Sequence, residues 1–264
     1  MSSTGTTHPA PTAGTVYRGD RLLSGAATAV EELRAAGVRT VFFSNNPTRS
    51  RAEYVDRLEG FGIETRPAEV LSAGTVTTRY LADEHADDAV YLIGALGLRR
   101  QLEAADLELT AAPADADVLV VSYDREFDYD DMLAGYRAVA GGATFYGTDP
   151  DRLVPAEEGL VPGSGAVVGA VGTVVDREPE RLFGKPSEPA RRAALDALGA
   201  PPERCVVVGD RLETDVALGE RAGMTTVLVR TGVEAETDPD SGTGSDVEPD
   251  HVVDSLADVG DVLS

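Results

Sequence analysis

Val206-Val-Val-Gly-Asp-Arg-Leu-Glu-Thr-Asp215 is the most informative stretch of this 264-residue chain. Three consecutive valines predict a buried strand, and Gly209 and Asp210 follow at its carboxyl end. That end of the strand is where open parallel α/β sheets bind their ligands. Asp215 falls near the start of Thr214 to Ala222, whose pattern predicts a helix. Two carboxylates at such a turn make a hard oxygen site suited to Mg²⁺. A lone aspartate there would read as a helix cap, so the pair is moderately specific.

On either side, short apolar runs alternate with amphipathic ones, as in βαβ units around a parallel sheet. Helices are expected over Gly25 to Ala36, stopped by Gly37, and over Pro47 to Gly60, Ser72 to His85, Leu98 to Ala105, Asp130 to Ala140 and Ser187 to Leu198. Strands are expected over Val38 to Ser44, Val90 to Ile93, Val118 to Ser122, Ala143 to Tyr146, Cys205 to Val208 and Thr225 to Arg230. Asp238 to Glu248 reads as a surface loop.

Composition narrows the function. The formal charge is −23, which would repel phosphate backbones and anionic membrane surfaces, so neither nucleic acid nor membrane is an expected partner. No apolar run approaches the length of a membrane span, and Met1 to Gly14 lacks the apolar core of a signal peptide. One cysteine, Cys205, excludes an intrachain disulfide and fits a cytoplasmic setting. With 42% apolar residues the chain has ample core, so the acidity belongs to its surface. Concentrated salt screens such a surface, and the composition resembles that of haloarchaeal proteins. Of the 23 basic residues only Lys185 is a lysine.

Two further stretches carry chemistry. In Phe43-Ser-Asn-Asn-Pro-Thr-Arg49 an apolar strand ends in a hydroxyl and two amides, where Ser44 can donate to a phosphate oxygen. The bland reading is a Ser/Asn turn with Pro47 opening a helix. In Phe183-Gly-Lys-Pro-Ser187 the single lysine sits in a tight turn. A compact ammonium is not replaced well by a planar guanidinium, so a drift that removes surface lysine spares one that is needed. Val90 to Gly97 lacks a full dinucleotide fingerprint. His8, His85 and His251 have no ligand spacing, and Ser164 lacks the context of a hydrolase nucleophile.

In this order the motifs resemble those of the haloacid dehalogenase-like (HAD) phosphatases. The match is best to class IIA, the nitrophenylphosphatase-like and N-acetylglucosamine-operon phosphatase-like group. The resemblance runs from Gly14 onward. Gly14 to Asp20 is similar to the end of the family's motif I, Ser44-Asn-Asn to motif II, Gly184-Lys-Pro to motif III and Gly209 to Asp215 to motif IV. It implies a Rossmann-like α/β core with a parallel sheet over 1–71 and 183–264, and an inserted α/β cap over 72–182. It also implies Mg²⁺-dependent hydrolysis of a small phosphorylated metabolite. Lys185 and Ser44 would act on the phosphoryl group, with Asn45 and Asn46 beside them, and Asp210 and Asp215 would hold the metal. The cap would contribute Thr148, Asp149 and Asp151, in a segment similar to the family's T-N-P-D. A homo-oligomer is left open.

The sequence departs from the family at motif I, D-x-D-G-T. Here the stretch is Pro11-Thr-Ala-Gly-Thr15. Pro11 takes the position of the attacking aspartate and Ala13 that of the acid/base, and neither can perform the step. Ser2 to Ala10 also lacks the apolar run expected of a central strand. Three accounts follow: a shifted frame or start ahead of Gly14, a non-catalytic protein that binds phosphorylated ligands or partners, or rescue by another acid. Asp20, the nearest, lies well off the site.

Overall fold

The computed structural model describes residues 14–156, 159–231 and 247–262. His8, Pro11, Ala13 and most of the loop expected over 238–248 lie outside them. A short hairpin, β1 (Tyr17–Arg18) and β2 (Arg21–Leu22), leads into α1 (Ala26–Ala35), which Gly25 caps. There follow β3 (Phe42–Ser44), α2 (Arg51–Gly60), β4 (Val70–Ser72), α3 (Ala73–Glu84), β5 (Val90–Ile93), α4 (Leu96–Ala104), β6 (Val118–Val121), α5 (Tyr129–Gly141) and β7 (Thr144–Gly147). A second hairpin, β8 (Leu153–Ala156) and β9 (Gly159–Pro162), precedes α6 (Ser164–Val175) and β10 (Arg181–Leu182). The chain closes with α7 (Glu188–Leu198), β11 (Val206–Gly209), α8 (Ala217–Ala222), β12 (Thr225–Val229), β13 (His251–Val253) and α9 (Val259–Val262).

The β5, β6, β7 and β10 strands form one parallel sheet in the order β10-β7-β6-β5. Val118 to Val121 are fully buried, as strands covered on both faces must be. Their alternation sorts them: Val118 and Val120 pack with Leu98 and Leu102 of α4, while Leu119 and Val121 pack with Ala138 of α5 and Val171 of α6. Each buried side chain of this kind contributes about 1.5–3 kcal/mol. Outside that insert, β11, β12 and β13 form a parallel sheet and β3 pairs in parallel with β4. The expected division at 72 and 182 falls at Ser72, the N-cap of α3, and at the last residue of β10. Phe43 and Ala193 pack across it against the cluster containing Leu98 and Phe183.

Several elements differ from expectation for local reasons. The strand expected over Val38 to Ser44 contracts to β3, because its partner β4 starts only at Val70, opposite Phe42. The helix expected from Pro47 begins at Arg51, where Ser50 and Glu53 form a capping box. Before it, the Asn46 side-chain Oδ1 accepts from both Thr48 N–H and Thr48 Oγ1–H and holds Pro47 to Ser50 as a turn. The helix expected from Thr214 starts instead as a π-helical turn, Leu212–Val216, which passes into α8. Such wide turns recur at functional sites.

Candidate active site

The carboxyl ends of the two core sheets meet the carboxyl ends of the inserted sheet. Between them lies a cleft of about 130 Å³, lined by Thr15, Ser44, Asn46, Asp151, Lys185, Asp210, Arg211 and Asp215 among others. Four separate stretches expected to matter, Ser44 to Asn46, Asp151, Lys185 and Asp210 to Asp215, thus supply one wall each. Ser44 ends β3, and its Oγ accepts from Asn46 N–H at 3.1 Å, so its own proton can be donated onward. Tyr54 of α2, buried beneath, donates to the Asn46 backbone carbonyl at 3.1 Å, and burial holds its phenol well above the usual range.

Lys185 is 8% exposed. Its Nζ donates to the Phe43 carbonyl at 2.9 Å and to Asp215 Oδ1 at 2.6 Å. The approach to this position is set by glycine. A Cβ on Gly184 would come within 2.6 Å of Asp149 Cβ and 2.9 Å of Asn45 Oδ1. Asn45 then clamps the lysine from its backbone: Oδ1 accepts from Lys185 N–H at 2.7 Å, and Nδ2 donates to the Lys185 carbonyl at 3.1 Å. The amide of Asn45 is therefore engaged in placing the ammonium. Asn46 is different. Its Nδ2 is buried and without a hydrogen-bond partner, while the residue lines the cleft. An orphaned buried donor costs about 1–3 kcal/mol, which an oxygen arriving in the cleft would recover.

Asp210 and Asp215 are each 6% exposed. Asp215 is folded back over the strand end so closely that a Cβ on Gly209 would meet Asp215 Cβ at 2.1 Å. The glycine before Asp210 is thus required by the second carboxylate. Among the described residues no three carboxylate, histidine or cysteine side chains converge on a metal position. Mg²⁺ at phosphate sites uses one or two carboxylates and completes its shell with water and phosphate oxygen, so this pair fits it.

The cap residues sort themselves by burial. The Thr148 side chain is fully buried, with its hydroxyl engaged by Ser122 Oγ at 3.0 Å and Asp149 Oδ2 at 3.0 Å, and it does not line the cleft. Asp149 is 2% exposed and faces Thr148, Ser164 and the Asp151 N–H, not the cleft. Burial, with Asp151 next, pushes its carboxyl up to about 8. Asp151 does line the cleft, where Arg211 Nη1 lies 3.2 Å and Asn45 Nδ2 3.3 Å from its Oδ1. Burial raises its carboxyl too, against the pull of Arg211, Asn45 and Lys185. Arg211 was not anticipated, although it stands next to Asp210 in the most informative stretch. Its partners lie about sixty residues away and no local pattern names them.

The haloacid dehalogenase-like hydrolase model matches residues 12–108 and the HAD-hydrolase-like model residues 182–259. The chain is 35% identical to the sugar-phosphatase AraL of Bacillus subtilis over 93% of this chain and 89% of that one. It is 33% identical to the 5′-nucleotidase YutF of the same organism, over 92% and 93%. Among solved structures, a p-nitrophenyl phosphatase from Archaeoglobus fulgidus superimposes with a TM-score of 0.86 at 36% identity, covering 94% of this chain and 95% of that one. A 4-nitrophenylphosphatase from Thermotoga maritima gives 0.85 at 29% identity, over 96% and 95%. The four motif walls of the cleft, the inserted α/β unit and these likenesses agree: the chain belongs to the haloacid dehalogenase-like hydrolases, in the class IIA group of nitrophenylphosphatase and NagD-like phosphatases.

Proposed function

We propose that the cleft is a Mg²⁺-dependent binding site for small phosphomonoesters, such as sugar, glycerol or nucleoside phosphates, of the kind built for their hydrolysis. The observation that carries this is the charge around the cleft. Two cations, Lys185 and Arg211, face three carboxylates, Asp151, Asp210 and Asp215. A phosphomonoester dianion entering a wall set with excess negative charge is repelled unless a further cation enters with it. Asp210 and Asp215 would hold that cation, Mg²⁺, which when bound neutralises charge on the phosphoryl oxygens.

This chain's own groups divide the remaining work. Ser44 Oγ–H and the Asn46 amide donate to oxygens of the ligand. The Lys185 ammonium, fixed by the Phe43 carbonyl and Asp215, presents a point charge to the phosphoryl group without having to be reorganised. The covalent step needs a carboxylate attacking phosphorus and a second one exchanging the proton. This chain has Pro11 and Ala13 at those positions, so it is expected to bind without turnover unless the two carboxylates are supplied.

The test has two arms. Titration of the chain with inorganic phosphate, with and without Mg²⁺, should show binding that requires the metal and is lost in Asp210→Ala. A chain in which residues 2–13 become an apolar strand ending in Asp-x-Asp should then hydrolyse p-nitrophenyl phosphate. Phosphate binding that ignores Mg²⁺ would defeat the metal assignment, and turnover by the unaltered chain would show that another group attacks.

A further inference from the structure

Arg211 and Asp151 pair on the wall of the cleft. The cleft meets a second, much smaller space of about 10 Å³, lined by Asn45, Asn46, Asp149, Asp151, Val154 and Tyr123. Tyr123 also lines a third space of about 360 Å³ within the inserted unit, walled by Phe127, Arg125, Val161, Pro162 and Val167. Asn45, Asn46, Asp151 and Val154 line both the cleft and the small space, and Tyr123 lines both the small space and the large one. The middle one holds about a single water, so it is a neck.

Contacts between core and cap fix the Asp151 wall shared by the cleft and the neck. Arg211 follows β11 and Asn45 follows β3, and both engage Asp151, which precedes β8. Arg211 Nη2 also donates to the Leu153 carbonyl at 3.3 Å, pinning the first residue of the hairpin. Val154 of β8 borders both the cleft and the neck, and its cross-strand partner Val161 walls the large space. Moving the hairpin therefore changes all three spaces together. Asn46, whose buried Nδ2 has no hydrogen-bond partner, lines both the cleft and the neck, so a ligand oxygen at that boundary would satisfy it.

We propose that Arg211, paired with Asp151, is a specificity-determining positioning residue. Latched, it confines ligands to a phosphoryl group with a leaving group of a few heavy atoms. Released, it joins the cleft to the large cap space, which then receives the leaving group of bulkier phosphomonoesters of nucleoside size. The inference rests on the reading of the cleft as a phosphomonoester site. An arginine held by one carboxylate and one carbonyl, with side chains 20% and 11% exposed, is tight enough to bias the hairpin and open enough to exchange partners.

The experiment compares the full chain with Arg211→Ala and Arg211→Lys, in Mg²⁺ and high KCl. Calorimetric titration with glycerol phosphate and with adenosine 5′-monophosphate gives a ratio of affinities in each protein. The ratio should shift at least fivefold toward the nucleotide in Arg211→Ala, with Arg211→Lys between, since lysine cannot fork to two acceptors. Hydrogen exchange at Val154, Ala156 and Val161 should quicken at least fivefold in Arg211→Ala while Val227 and Val229 stay unchanged. A ratio that shifts by less than fivefold in Arg211→Ala, or hairpin amides that do not respond, would overturn the latch. If Arg211→Ala does not fold, Arg211→Lys alone must shift the ratio at least twofold. Failure of the unaltered chain to bind inorganic phosphate would defeat the phosphomonoester reading instead, and the exchange data would still judge the latch.

Discussion

Asp149→Asn should stabilise this protein, and by an amount that depends on pH in a definite way. The buried Asp149 carboxyl is raised from 3.8 to about 8, chiefly by desolvation and secondarily by Asp151. Between those values the folded protein holds a proton there that the unfolded chain releases. Stability falls with rising pH wherever the native state binds more protons, so this group costs stability from about pH 4 up to about pH 8 and is flat outside that window. Asparagine has nearly the same shape and no charge to lose. Its Oδ1 can accept from the Asp151 N–H, and its Nδ2 can donate to the Thr148 or Ser164 hydroxyl, which are free to turn round. At about 1.36 kcal/mol per pH unit, the advantage of the variant should grow by about 3 kcal/mol between pH 4.5 and 7. For a chain of this size that corresponds to a gain of roughly 6–12 °C in relative Tm. The assay is a set of thermal melts of both proteins across pH 4.5–8.5 at fixed high KCl, read as the difference between the two curves. A difference that stays constant across this range, or that shrinks as pH rises, would refute the burial argument.

Lys185→Ala should abolish phosphate binding and, because it leaves Asp215 buried and unpaired, destabilise by about 3–5 kcal/mol in urea titrations. Lys185→Arg should recover part of the stability and little of the binding, since a planar fork does not fit between the Phe43 carbonyl and Asp215. Gly209→Ala drives a methyl into Asp215 Cβ, and should cost about 1–3 kcal/mol and weaken Mg²⁺-dependent phosphate binding at least tenfold by calorimetry. Raising KCl from about 0.1 M to about 2 M shortens the screening length from about 10 Å to under 3 Å, so the Tm of this −23 chain should climb by roughly 10 °C or more; an unchanged Tm would remove the halophilic reading.

Much of the architecture was legible because it is local. The alternation of Val118 to Val121 between two buried faces, the glycine stop after α1 and the Ser187 cap of α7 depend on residues a few positions apart. The elements that escaped have a shared cause. Helix α6 is written Ser-Gly-Ala-Val-Val-Gly-Ala-Val-Gly-Thr-Val-Val, three glycines amid β-branched residues, a poor helix by propensity. It forms because Val167, Val168 and Val171 bury against the inserted sheet, and tertiary packing overrides propensity. The β8–β9 hairpin likewise carries Pro155 and Pro162, which weaken a strand signal.

The site divides along the same line. From the sequence alone came the strand-end placement of Ser44 and Asp210, the pairing of Asp210 with Asp215 and the singular Lys185, because each is a short pattern attached to one element. The fold alone decided what those residues touch. Asn45 looked like a ligand contact and proves to be the clamp on Lys185, 140 positions away. Thr148 and Asp149 looked like cap contacts, but Thr148 turns inward and Asp149 borders only the narrow neck, while Asp151 reaches the cleft and meets Arg211. Spacing along the chain records which way a strand or helix presents a side chain. Which carboxylate is desolvated and which is paired depends on surfaces brought together from distant segments, and only packing creates those.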